Sequence, residues 1–432
     1  MASDFFRGRY LANAARPDII TEKTTAAETP RLVGSHHREE LMRPDHILGG
    51  ILAIVAMIAG SAACAQEKIK IGMIADFTGP FALSGTMLRQ GMETYLSATG
   101  TKVGDREIEI VWRDIGNQNP VVAKQAAEEL IVRDKVSILT GFDLTPQVAA
   151  VAAVANEAKI PTVIQIPSTP ALMKMSPYFL RVSNNMQSTV WPGADWAAKN
   201  GKKRAYIAVS DYAPGHQVQA AFKRKFTELG GTIVGEDRIP LNTVDYAPFA
   251  ERVARSDADV VQVFIPPGPA AVSFTRGLLT QGVREKGTLI MGVGETDEAF
   301  LASYDDSVVG IYSSFHYSRV LDNKENEQFK QQLAAKFGDN VAADAFVVQG
   351  YDGMHAVRHL IETQTGKPFN AAAAVEAMKG YAWNGPRGAM SIDAESRDII
   401  ENMYIRRVER VNGKLENVIV DTYRAVKPLF IE

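Results

Sequence analysis

Short apolar runs and stretches of helical period alternate along most of the chain. Residues 68–75 (KIKIGMIA) form a β-branched run that ends at Thr78-Gly79-Pro80, a turn. Residues 107–113 (EIEIVWR) alternate apolar and polar like a strand, and 136–140 and 162–166 read as buried strands. Between them, 87–98, 120–133 and 146–158 carry apolar positions at helical spacing, with Pro120 suited to a first helical turn. Strands that recur about every 30 residues between helices predict βαβ units and a parallel sheet. The pattern then restarts, with strands at 204–209, 232–236, 259–264 and 289–292 and helices at 217–229, 246–255 and 269–281. Two successive α/β blocks predict two lobes of similar architecture. Helices at 326–337, 345–363 and 371–378 follow, then strands at 402–410 and 416–423 with Asn412-Gly413 as a hairpin turn between them.

Ahead of this body, residues 47–63 (ILGGILAIVAMIAGSAA) carry no charge. A short polar segment, 42–46, precedes them, and Ala63-Cys64-Ala65 follows, then polar Gln66-Glu67-Lys68. This is the order of a secretory signal peptide over 42–65, with cleavage before Gln66. A membrane anchor and lipidation at Cys64 are the alternatives; a lipobox prefers Leu where Ser61 stands. Residues 1–41 lack this pattern, so translation is expected to begin at Met42, which makes the upstream stretch a non-native extension. The expected location is the periplasm.

Composition narrows the function by exclusion. The 432 residues hold 47 basic and 50 acidic side chains, a net charge of -3, which gives no support to nucleic-acid binding. A single cysteine excludes four-cysteine zinc sites, disulfide frameworks and CxxC redox motifs. No phosphate loop, nucleophile elbow or HExxH is present, and Gly292-Val293-Gly294 lacks the third glycine of a dinucleotide fingerprint. His355 and His359 share a helix face, but no third ligand is evident, so they read as packed or solvated histidines. No enzyme activity, metal or cofactor is implied.

Two loops offer hydrogen bonding instead. Thr145-Pro146 opens the helix after strand 136–140, with Thr suited to the N-cap and Pro to the first helical position. Ser168-Thr169-Pro170 repeats the arrangement after strand 162–166. Open α/β sheets bind ligands along the carboxyl edge, and helix N-termini favour anions there. A ligand carboxylate would then be held without an arginine; ordinary capping explains each junction equally well.

The segment Ile71-Gly-Met-Ile-Ala-Asp-Phe-Thr-Gly-Pro-Phe-Ala-Leu-Ser-Gly85 resembles the opening of type I periplasmic solute-binding proteins, in particular the branched-chain amino acid (leucine/isoleucine/valine-binding) family. Further matches follow in order: Gly141 to Thr145, Ile160-Pro161, Ser168-Thr169-Pro170, Phe179-Leu-Arg181, Ser210-Asp211-Tyr212 with Gly215, Gly350-Tyr351-Asp352, and Gly385-Pro-Arg-Gly388 with Asp393. The resemblance implies an α/β fold of two Rossmann-like lobes joined by a three-crossing hinge. Lobe 1 would be 68–187 plus 318–403 and lobe 2 would be 188–317 plus 404–432. It further implies a monomer that closes on a small carboxylate or amino acid and delivers it to an ABC permease and its ATPase.

Carried over residue by residue, the resemblance implies that Thr145 holds the ligand carboxylate and that Ile166, Pro167 and Ser168 bind carboxylate and ammonium. Ser84 replaces a first-loop Tyr of the family. Tyr212 and Phe264 come from the second lobe, and Glu295 is the acid expected to take the ammonium. Phe81, Phe142 and Phe264 would give an aromatic-lined cleft, or else belong to the core. If Glu295 is a solvated loop acid, no counter-ion for an ammonium remains, and an aromatic or other apolar carboxylate becomes the candidate. A ligand-sensing receptor component of the same fold and a secreted α/β enzyme are the other classes open to this chain.

Overall fold

A computed structural model describes residues 67–116 and 119–431. The leader, Cys64 and the expected start at Met42 lie outside the described residues.

The first sheet is built around β1 (Glu67–Ala75). Its alternation splits the neighbouring side chains between two cores. Ile69, Ile71 and Met73 pack with Leu88 and Met92 of α1 (Ala82–Thr99), whereas Ile74 packs with other apolar residues, Leu130 and Val151 among them. The chain then forms β2 (Lys102–Val103), β3 (Arg106–Asp114), α2 (Pro120–Val132), β4 (Ile138–Gly141), α3 (Thr145–Ala158), β5 (Thr162–Ile164) and β6 (Phe179–Arg181). The strand order is β2-β3-β1-β4-β5-β6, parallel except at β2. Gly72 on β1 makes this packing close: a Cβ there would stand 2.9 Å from both Leu130 of α2 and Leu139 of β4.

The second sheet takes up the restarted pattern. It contains β7 (Arg204–Ser210), β8 (Thr232–Ile239), β9 (Val260–Phe264), β10 (Leu289–Gly292) and β11 (Tyr312–Phe315), all parallel. The intervening helices are α5 (Ala213–Glu228), α6 (Ala247–Arg255), α7 (Pro269–Thr280) and the short α8 (Glu298–Leu301). Helix α4 (Met186–Lys199) leads from the first sheet into β7. After β11 come α9 (Lys324–Phe337), α10 (Ala345–Glu362) and α11 (Ala371–Met378). Met354 and Val357 of α10 and Val375 of α11 join the core of the first sheet. The chain then returns through β12 (Ala382–Gly385), β13 (Gly388–Ile392), β14 (Ile399–Val411) and β15 (Lys414–Val426). β14 pairs antiparallel with β11, β13 and β15. The result is the expected α/β architecture with two sheets. No helix among the described residues is long and apolar enough to cross a membrane.

Periodicity located the long elements and missed the short or polar ones. Helix α4 escaped it because Pro192 stands inside; Asn185 caps its start by accepting from the amides of Gln187 and Ser188. β11 reads Tyr-Ser-Ser-Phe, and its serines are buried by hydrogen bonding, as Ser314 Oγ does to the carbonyl of Thr189. The hairpin was legible: Asn412 and Gly413 have φ of 50° and 79°, the two left-handed residues a two-residue turn requires. His355 and His359 are indeed packed. His355 lies within hydrogen-bond reach of the hydroxyls of Tyr95 and Tyr381, and the His359 ring stacks on Tyr381 at 3.6 Å.

Candidate ligand-binding site

Loops at the carboxyl ends of strands from both sheets enclose a cavity of about 170 Å³. The loop after β1 and the start of α1 contribute Phe81, Ser84 and Met87; the loop after β4 gives Asp143, Leu144 and Thr145; the loop after β5 gives Ile166, Pro167 and Ser168. The facing wall comes from the second sheet: Tyr212 after β7, Phe264 and Pro266 to Pro269 after β9, Val293 and Gly294 after β10, and Phe300 and Phe315. Strand β5 stops at Ile164, so Ile166 to Thr169 leave the sheet and turn to this space.

Eight residues singled out in the sequence line the cavity together: Phe81, Ser84, Thr145, Ile166, Pro167, Ser168, Tyr212 and Phe264. Phe142 does not. It is fully buried in the core with Leu139 and Val148, and its φ of 71° turns the chain just before Asp143. Glu295 is not among the lining residues either. Its Oε1 accepts from the amide of Ile265 at 2.8 Å and its Oε2 from the amide of Val293 at 2.6 Å. The carboxylate thus ties the ends of β9 and β10 together behind the wall. Burial pushes its pKa up to about 7.

The capping at the two loops also differs from expectation. Leu144 is the N-cap of α3 and Thr145 its first residue, because the Gln147 side chain reaches back to accept from the amides of Asp143 and Leu144. That leaves the Thr145 hydroxyl to pair with Thr169 Oγ1 at 2.9 Å. Thr169 is the N-cap of a five-residue 3-10 helix, Pro170–Lys174, but its hydroxyl does not cap it. By position, the Thr145 N–H has no carbonyl within its own helix, and the dipole of this 14-residue helix favours an anion beside it.

No Arg, Lys or His lines the cavity among the described residues; its one carboxyl group is that of Asp143. Asp143 Oδ2 accepts from the amide of Asp76 at 2.7 Å, and Oδ1 lies 2.5 Å from Ser84 Oγ. Burial raises its pKa to about 7. Opposite, the Tyr212 ring stacks on Phe264 at 6.1 Å, and burial raises its phenol as well. Sequence reasoning passed over Asp143, although an acid between Phe142 and Leu144 at the end of an apolar strand is a signal. Gln349 and Phe346 on α10 and Phe315 on β11 were also missed. Tertiary contact alone brings them to the cavity.

The model of the periplasmic binding protein family matches residues 68–414. The chain belongs to this family. Among relatives of this periplasmic binding protein, Leu/Ile/Val-binding protein homolog 6 of Brucella melitensis is 36% identical over 371 residues, covering 85% of this chain and 95% of the relative. Among solved structures, a solute binding protein of an ABC transporter from Rhodopseudomonas palustris HaA2, in complex with p-hydroxybenzoic acid, is 36% identical with a TM-score of 0.80. The match covers 84% of this chain and 98% of that one. Another, from Rhodopseudomonas palustris BisB5 in complex with 3,4-dihydroxybenzoic acid, is 35% identical with a TM-score of 0.79, covering 83% and 98%. Family and fold are therefore those of substrate-binding proteins of ABC transporters, which bind small molecules and work with membrane permease and ATPase components.

Proposed function

We propose that this chain captures a small aromatic carboxylate of the hydroxybenzoate class for an ABC importer. The observation that carries this reading is the cavity's charge. Its walls are aromatic and proline-rich, and among the described residues no cationic side chain lines it and its one acid has both oxygens engaged. Glu295, the expected partner of an amino acid's ammonium, is spent on two backbone amides. What remains fits an anion with an apolar ring: the N-terminus of α3 and the hydroxyls of Thr145 and Ser168 for the carboxylate, and Tyr212, Phe264 and the prolines for the ring. The aromatic acids in the two Rhodopseudomonas structures support the same class.

In this reading, residues 68–187 with 318–403 and residues 188–317 with 404–432 are two lobes that close on the ligand, since contacts to both favour the closed state. The protein works as a monomer in the periplasm, exported by a signal peptide at 42–65, with 1–41 a non-native extension. It performs no catalysis.

A thermal-shift screen of the exported form tests the reading. A ligand at 100 times its dissociation constant stabilises by about 2.7 kcal/mol. 4-Hydroxybenzoate or 3,4-dihydroxybenzoate should do so, and leucine, isoleucine and valine should not. Stabilisation by the aliphatic amino acids alone would overturn the aromatic assignment in favour of the amino acid reading.

A further inference from the structure

We propose that Asp143 sets the charge of the ligand this cavity accepts: it carries a proton when a carboxylate is bound, so capture of an anion takes up one proton. This rests on the aromatic carboxylate reading above. The geometry shows how the proton is accommodated. Ser84 Oγ stands 2.5 Å from Asp143 Oδ1 and 2.8 Å from the carbonyl of Phe81. A hydroxyl has one proton to give. With Asp143 neutral, its O–H donates to Ser84 Oγ and Ser84 donates to Phe81. With Asp143 ionised, the Ser84 hydroxyl turns to the carboxylate. Both states are served without moving a heavy atom.

The surroundings favour the neutral state. Burial is the largest influence on Asp143, and the charged groups that face it are acids. Asp76, at the end of β1, is itself buried and accepts from Gln147 Nε2 of α3; Asp114 stands at the end of β3. From α1 comes Ser84, and across the cavity the titratable residue is Tyr212. Among the described residues no lining cation compensates a ligand carboxylate. An anion entering therefore adds to the repulsion on an ionised Asp143, and a proton taken from solvent removes it. An ionised Asp143 would instead favour an ammonium, so the same proton separates aromatic acids from amines.

The test is the affinity for 4-hydroxybenzoate between pH 6 and 8, where its carboxylate stays ionised. With an Asp143 pKa near 7 in the free protein, affinity should fall about tenfold from pH 6 to pH 8. Calorimetry at pH 7.5 in buffers of different ionisation heat should detect uptake of about 0.8 proton. Asp143→Asn, which copies the neutral acid, should remove the slope and bind more tightly than wild type at pH 8. A flat wild-type profile without proton uptake overturns the proposal, whether or not the variant folds. If no aromatic acid binds even at pH 6, the aromatic reading falls by itself. The carboxyl signal of Asp143 in the free protein then decides: a midpoint near 7 supports the proton and one in the ordinary aspartate range refutes it.

Discussion

Arg387 is the position where a single substitution should be most costly. It sits in the turn between β12 and β13, fully buried, within the Gly385-Pro-Arg-Gly388 motif. Its Nε donates to Asp352 of α10 at 2.7 Å, one terminal nitrogen to Glu401 of β14 at 2.7 Å, and the other to the carbonyl of Val182, just past β6, at 2.7 Å. Both carboxylates are as buried as the guanidinium. Replacing Arg387 by Met keeps the volume and strands two buried acids without their cation. Breaking a buried pair in this way costs about 3–5 kcal/mol. With unfolding entropy of about 2.1 cal/mol/K per residue and a folded unit of about 365 residues, that is a drop of about 4–7 °C in Tm. Calorimetric melting of the exported form would read it. The combined variant Arg387→Met, Asp352→Asn, Glu401→Gln leaves no unpaired charge and should recover much of the loss. If it melts no higher than Arg387→Met alone, the stranded charge is not the origin of the effect and the reasoning fails.

Three further outcomes are expected. Ser168→Ala should weaken binding of an aromatic carboxylate by about 1–3 kcal/mol in isothermal titration, because a charged group loses a donor; unchanged affinity in both this variant and Thr145→Ala would remove the anion site. Glu295→Gln should cost about 1–3 kcal/mol in denaturant unfolding at pH 8, since a side-chain amide must face one of two backbone N–H donors, while leaving the choice between acids and amino acids intact; altered ligand selectivity with unchanged stability would contradict its placement. Stability should also decline as pH rises from about 5 to 8. Asp143, Glu295 and Asp344 are raised to about 7, chiefly by burial. The folded protein thus keeps protons that the unfolded chain has already released, and that advantage is lost as pH passes through these values. A Tm that climbs over this interval would show that these acids are ionised in the folded state throughout.

Much of the architecture was legible from local pattern. The β-branched run of β1, the helical spacing of α2 and α3 and the Asn412-Gly413 turn each carry their signal within a few residues, because a strand's two faces and a helix's stripe repeat at fixed periods. Eight cavity residues were legible for a related reason: ligand loops stand at the carboxyl ends of parallel strands, and locating the strand locates the loop. Distances between segments remote in sequence were not legible. Whether Glu295 meets a ligand or the amides of Ile265 and Val293 depends on how β9 and β10 lie side by side, 30 residues apart in the chain. Phe142 and Phe264 are both phenylalanines at strand ends, yet a left-handed backbone sends one into the core while the other faces Tyr212. The amino-acid pattern by itself determined the strands, the helices and the edge on which a ligand would sit. Only tertiary packing decided the charge of that site, because burial and the pairing of distant groups set which acids reach the cavity and which of them keep their protons.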